Sequence, residues 1–345
     1  MSWQEMNCVL NPQCTGSSVY LSQEPPLEPD IPTGLTCQVF ISELPAHHRK
    51  ELTSFIRNED QTSSGNVSLL TQDSLDRLLK GGAFVTILER DSQIVGSLIS
   101  LPLRAICMDV EILTSYTFYL CIKRDWREKG LAMVLIRAMI SSGYKHKQIN
   151  HGYYMSSKIH HSINSPIQSW YRPLNLGKVK EAGFGLLEVG GQVHQRLFYR
   201  VTQPVTLPIK VCSNDYDRVI KILSTSQYHL NPTFEEFNCL RQCFDIYIVS
   251  QTGVFFLFPV SVIISNRKKT CKNAHLALMV GDVLPQAIWA ANQQSYDLLY
   301  GWIFGEITVE RVTTSRGLIT AGKNYLEIYN SGVRPEISNF NLPLF

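Results

Sequence analysis

The chain has 345 residues, of which 44% are hydrophobic and 18% charged, and a net charge of +3. That length can bury a sizeable core and admits two domains, while so small a charge, with no long basic stripe, argues against a nucleic-acid surface. The nine cysteines are odd in number and scattered, as reduced thiols are, and the N-terminus lacks a charged segment leading into an apolar one, so a cytoplasmic location without a secretory signal is expected.

Residues 22–34 are a proline-rich extended segment. Residues 37–41 read as a strand, and 43–56 as a helix with His47 and His48 on its solvated side. Residues 62–68 form a polar loop and 69–79 a second helix. Strands at 82–89 and 93–101 pair across the Asp91-Ser92 turn, and 105–113 adds another strand.

The stretch at 116–137 organises the rest. Residues 117–122 are β-branched and aromatic, as a buried strand is. Leu131, Val134, Leu135, Ala138 and Met139 then recur at the spacing of a helix packed on one face, predicted over 127–142. Between them lies Arg127-Glu-Lys-Gly130-Leu-Ala132, a polar turn with one glycine at the helix start. Strand, glycine turn and helix N-terminus make an anion site, because first-turn N–H groups have no intrahelical partner and the macrodipole adds positive charge. Lys123, Arg124, Arg127 and Lys129 crowd the same turn, which suits a polyphosphate ligand.

Downstream, Tyr153-Tyr154-Met155 precedes a loop and the segment Gln168-Ser-Trp170-Tyr-Arg172-Pro-Leu174-Asn175. The proline-bounded segment 202–208 divides the chain into domains 1–205 and 206–345. In the second, 215–225 and 284–304 read as helices and 325–330 as a strand. Residues 244–265 are long enough to span a membrane, but Asp245, Pro259 and the turn Gln251-Thr-Gly253 predict a hairpin. Cys239, Cys243, Cys271 and His275 have spacing that zinc can use, yet without glycine knuckles the three cysteines read as buried free thiols. His146, His151, His160 and His161 read as a solvated loop, and no metal site is expected.

Arg127-x-x-Gly130-x-Ala132 after a strand resembles the pyrophosphate signature of the GNAT acyl-CoA transferases. The longer run from Tyr119 to Arg137, YLCIKRDWREKGLAMVLIR, is similar to one GNAT branch, the glycylpeptide N-myristoyltransferases. Ser2-Trp3-Gln4 looks like that family's N-terminal Phe-Trp segment, VGSLISLP at 95–102 matches a family strand, and Tyr325-Leu-Glu-Ile-Tyr-Asn330 resembles its last strand. The 168–175 segment looks like its Tyr-Trp-His-Arg-Ser-Leu-Asn stretch, at a similar distance from Tyr154.

The resemblance implies an α+β fold of two GNAT-like halves, each a mixed β-sheet flanked by helices, the first for acyl-CoA and the second for the peptide and the terminal carboxylate. It implies a monomeric N-myristoyltransferase with myristoyl-CoA as co-substrate, no permanently bound cofactor, no transmembrane segment and N-terminal glycine peptides as acceptors. On this implication Trp3, Tyr119, Leu120, Cys121, Ile122, Arg127, Glu128, Lys129, Gly130, Leu131, Ala132 and Met133 contact the CoA ester. Backbone N–H groups at Tyr119 and Leu120 form the oxyanion hole, and the carboxylate of Phe345 is the base. Tyr154, Met155, Trp170 and Tyr171 face the acceptor. Burying a fourteen-carbon tail is worth roughly 10 kcal/mol, and residues 83–88, 94–101, 117–122 and 133–136 are expected to line its pocket.

Departures concentrate on the acceptor side. Met155 stands where the family has Thr, Tyr171 where it has His, and Ala321 where it has an acid; the family's aromatic run at the peptide groove is replaced by Gly65-Asn-Val-Ser-Leu-Leu70. Two alternatives therefore stay open: an impaired acyl-CoA-binding or peptide-binding homologue, and a GNAT transferase using another acyl-CoA.

Overall fold

The computed structural model describes residues 28–59, 66–107, 109–149, 152–156, 164–186, 190–225, 228–264, 270–304, 317–329 and 340–341. In the first half these form strands β1 (Thr36–Ile41), β2 (Asn66–Leu69), β3 (Phe84–Arg90), β4 (Gln93–Cys107), β5 (Val110–Ile122), β6 (Gly152–Ser156) and β7 (Asn164–Pro173). Helices α1 (Ala46–Glu59), α2 (Gln72–Lys80), α3 (Leu131–Lys147), α4 (Leu176–Glu181) and α5 (Gln192–Phe198) accompany them. The second half holds β8 (Ile209–Lys210), α6 (Tyr216–Leu223), β9 (Tyr228–Leu230), α7 (Phe234–Cys243), β10 (Asp245–Val249), β11 (Gly253–Ile264) and β12 (Thr270–Val280). It ends with α8 (Leu284–Gln293), β13 (Leu298–Phe304), β14 (Ile319–Tyr329) and β15 (Phe340–Asn341).

The expected α+β organisation of two helix-flanked halves is present, and hydrogen bonding runs continuously from one half to the other. The strand path is β1-β3-β4-β5-β6-β14-β7-β13-β12-β11-β10-β8. Most pairs are antiparallel, but β5 with β6 and β12 with β13 are parallel, so the sheet is mixed. β14 lies between β6 and β7 and pairs with both. One core cluster joins the halves, running from Leu52, Leu75, Ile87 and Tyr116 to Phe237, Phe244, Phe256 and Leu278. A second, smaller cluster packs Leu131, Val134, Leu135 and Met139 of α3 on Leu88, Val95 and Leu98. Gly96 permits that close approach: a Cβ there would lie 3.0 Å from both Ile122 Cδ1 and Leu135 Cδ1.

The hairpin expected at 244–265 is formed by β10 and β11, with Val249 opposite Gly253. Among the described residues no helix is long and apolar enough to cross a membrane. Four expectations are corrected. The single helix over 284–304 is α8 followed by β13; Leu298–Phe304 pairs with β12 on one edge and β7 on the other. Leu298 is buried with Val179 on one face while Leu299 is buried in the α8 cluster on the other, so its start is an apolar run that periodicity cannot tell from a helix. The strand over 105–113 is the tip of the β4–β5 hairpin, with Cys107 opposite Val110. Part of the 62–68 loop is β2, which pairs with β11. His48 is buried rather than solvated, with Nε2 3.1 Å from Glu89 Oε1, because β1 and β3 bring Glu89 under α1.

Candidate active site

β5 and β6 share two rungs, Tyr116 with Tyr153 and Thr117 with Tyr154, and then part. Beyond that point β6 follows β14, with Met155 opposite Leu326, while β5 continues against β4. The β4–β5 register shifts at the same place: Phe118 faces Ile99 and Cys121 faces Ser97, so Tyr119 and Leu120 together oppose Leu98. This is a β-bulge, which leaves a residue of the longer strand outside the ladder. Tyr119 adopts φ +52°, a left-handed conformation rare for a non-glycine residue. Its ring lies 5.4 Å from that of Phe118, which stacks in turn on Tyr116. Leu120 is 38% exposed, although Cys121 beside it is buried. A bulge beside a splayed strand pair aims backbone donors at a developing oxyanion, provided a carbonyl is seated there.

From the bulge the chain runs into the basic turn. Lys123 N–H donates to Val95 O at 2.9 Å, a short 3-10 turn spans Arg124–Trp126, and α3 begins after Gly130. Glu128 (φ +64°) and Gly130 (φ +75°) are both left-handed. Gly130 caps α3 with no side-chain bond, so the first-turn N–H groups of Leu131 and Ala132 face no capping side chain; Met133 N–H bonds Gly130 O at 3.0 Å. The Trp126 ring carries Lys129 Nζ at 4.7 Å and Arg90 Cζ at 5.0 Å from its centroid. Arg127, expected simply to face phosphate, is partly engaged. Its Nε donates to Ile122 O at 3.0 Å and its Nη2 to Glu59 O at 2.9 Å, with Glu59 Oε2 at 3.4 Å. Glu59 Oε2 also accepts from Arg124 N–H at 2.9 Å. Sequence reasoning missed Glu59; an acid at a distant helix end carries no local signal.

On the other arm of the splay, Tyr154 and Met155 are half-buried, and Met155 packs against the large core cluster. Trp170 and Tyr171 lie on β7, with β14 between it and β6. Both are interior. Trp170 sits against Gly301, where an added Cβ would come within 2.6 Å of its ring, and belongs to the core around α8. Tyr171 packs with Val179, Ala182 and Leu298, donates its hydroxyl to Gly185 O at 2.9 Å, and is pushed up to about 12 by burial. Ala321 falls where β14 shifts register against β7. Trp3 and Phe345 lie outside the described residues.

The zinc-spaced residues are dispersed. Cys243 is in the large core, where burial raises its thiol pKa, and Cys271 is in the cluster around Val179 with Sγ 3.7 Å from Lys178 O. His275 is buried beside Tyr300, 5.0 Å between rings, and desolvation pushes it down to about 3. Among the described residues no three His, Cys, Asp or Glu side chains gather as metal ligands. A separate open cleft of about 570 Å³ is lined by Asn175, Lys178, Arg196, Arg200, Tyr296 and Asp297.

The chain matches the solved structure of Saccharomyces cerevisiae N-myristoyltransferase with bound myristoyl-CoA at a TM-score of 0.73 and 15% identity, covering 93% of this chain and 89% of that one. The chain has the N-myristoyltransferase fold. A structure of the yeast N-myristoyltransferase with bound myristoyl-CoA and inhibitors matches equally, at a TM-score of 0.73 and 16% identity over 93% of this chain and 86% of that one. No protein-family model matches the sequence, and no curated protein does. Within the N-myristoyltransferase fold of this chain, the bulge at Tyr119 and the uncapped start of α3 sit at the two ends of one short segment.

Proposed function

We propose that the protein is an acyl-CoA-dependent N-acyltransferase that moves a myristoyl group from myristoyl-CoA to the N-terminal glycine amine of a protein. The observation that carries this reading is the continuous path from the left-handed bulge at Tyr119–Leu120 to the uncapped helix start at Gly130. In this reading CoA phosphates rest on the N–H groups of residues 130–132, with Lys123, Arg124 and Lys129 nearby. The thioester carbonyl lies at the splay, where the N–H groups of Tyr119 and Leu120 receive its oxygen. The amine enters from the side of Tyr154 and Met155. The N-terminal ammonium, with a pKa of about 8, first gives a proton to the base, the Phe345 carboxylate in this reading. The free amine then attacks, a C–N bond forms and the C–S bond breaks, and the nitrogen's second proton passes to the departing sulfur, so that CoA leaves as the thiol. Cys121, Ile122, Leu131, Ala132 and Met133 flank the ester and the start of the tail. Residues 1–205 would supply the donor site and 206–345 the acceptor site.

A second reading, an acyl-CoA-binding homologue with impaired transfer, is favoured by the acceptor side. Met155 offers no hydroxyl, and Tyr171 is buried with its hydroxyl already bonded to Gly185. Acyl-CoAs of graded length in a thermal-protection assay, followed by transfer from myristoyl-CoA to a panel of glycine-starting peptides, separate the readings. Transferase function predicts protection greatest at fourteen carbons together with acyl-peptide product. Protection without product supports the second reading, and no protection by any acyl-CoA ends both. Protection and transfer with a shorter chain identify a different donor.

A further inference from the structure

We propose that Glu59, at the C-terminal end of α1, is a positioning residue for the phosphate turn. The proposal rests on the acyl-CoA reading above. The turn is exposed and contains two left-handed residues, Glu128 and Gly130, a conformation that only surrounding contacts can hold at a glutamate. Its backbone is tied to β4 by Lys123 N–H on Val95 O. Glu59 supplies the tie to α1: one carboxylate oxygen receives Arg124 N–H at 2.9 Å and faces Arg127 Nη2 at 3.4 Å, while its carbonyl accepts from the same Nη2 at 2.9 Å. The carboxylate is the better buried partner, its side chain 18% exposed against 45% for Arg127.

This grip divides the guanidinium. Nε is bound by Ile122 O and Nη2 by Glu59, and Nη1 has no partner among the described residues. A planar fork held along one edge keeps its remaining donors in a defined direction, which suits a phosphate oxygen. Arg127 also satisfies the last carbonyl of α1, where a cation is favoured. Glu59 thereby sets both the path of residues 123–127 and the orientation of Arg127, without touching the ligand.

Electrostatics and positioning predict opposite signs. A carboxylate beside a polyphosphate seat repels it, so its removal should tighten CoA binding if charge were all that mattered. If Glu59 orders the turn, removal should weaken binding. The test compares full-length wild type, Glu59→Gln and Glu59→Asp by calorimetry with CoA and with myristoyl-pantetheine, which lacks the phosphates, and by steady-state kinetics. The expected result is CoA binding about five- to tenfold weaker in Glu59→Gln, the loss expected from one partly exposed charge-assisted contact. Pantetheine binding should be unchanged, KM for myristoyl-CoA raised and kcat kept at saturation. Glu59→Asp should recover part of the loss, and it carries the test if Glu59→Gln does not fold. CoA binding by either folded variant as tight as wild type, or tighter, overturns the proposal while leaving the acyl-CoA reading intact. Failure of the wild type to bind CoA overturns both.

Discussion

Thr117 of β5 pairs with Tyr154 of β6, and that rung is the last the two strands share among the described residues. Two residues later Tyr119 turns left-handed and the β4 register slips by one. The bulge and the splay fall together: where β5 and β6 part, β5 takes up an extra residue against β4 without disturbing a shared β5–β6 rung.

The side chain at 119 should matter far less than its backbone. Tyr119→Phe keeps the ring contact with Phe118 and is expected to hold turnover within about twofold. Tyr119→Val places a β-branched residue at φ +52°, costing about 1–2 kcal/mol and roughly tenfold or more in kcat if the bulge relaxes. Transfer kinetics beside thermal melts check both, and equal activity in the valine variant would dissociate the bulge from catalysis.

Two glycines near the turn should fail for different reasons. At Gly130 a Cβ meets nothing within 4 Å, so Gly130→Ala carries only the strain of φ +75°, about 1 kcal/mol, and should weaken CoA binding about fivefold with little change in melting. Gly96→Ala pushes a methyl against Ile122 and Leu135 at 3.0 Å, so it should lower stability by about 1–3 kcal/mol through overpacking of α3 on β4. Denaturant unfolding and CoA titration on both variants separate the two effects.

His275 gives the stability a pH dependence of known sign. Its folded pKa is lowered to about 3 by burial, against about 6.5 when unfolded, so the unfolded chain takes up a proton that the folded chain refuses. The stabilising contribution is whole above about pH 6.5 and is lost as pH falls toward 3, by about 1 kcal/mol at pH 5.5. His275→Gln should flatten that part of the stability curve between pH 6.5 and 4, measured by urea unfolding; an unaltered slope would show that another group titrates.

Met155→Thr restores a hydroxyl beside the splay. If acceptor handling limits turnover, kcat should rise roughly tenfold, within the range of one added proton-transfer group, while KM for myristoyl-CoA stays constant. Single-turnover measurement of acyl-peptide checks this. A fall in kcat would mean that the packing of Met155 on the core outweighs the hydroxyl.

The local features of this fold were legible in the sequence. The strand, glycine turn and helix from 117 onward, and the hairpin around Gln251, rest on periodicity, glycine position and charge within a single window, and those forces act between near neighbours. Tertiary structure decided the rest, because a residue's surroundings depend on which distant strands pair. Leu298–Phe304 is a strand only because β12 and β7 pair with its two edges, His48 is buried only because β3 brings Glu89 beneath it, and Trp170 and Tyr171 are interior because the α8 cluster and the cluster around Val179 pack on β7. Glu59 meets Arg127 across a separation of 68 residues, which no sequence window spans; only the packing of α1 beside the end of β5 turns an ordinary surface acid into a partner of the basic turn.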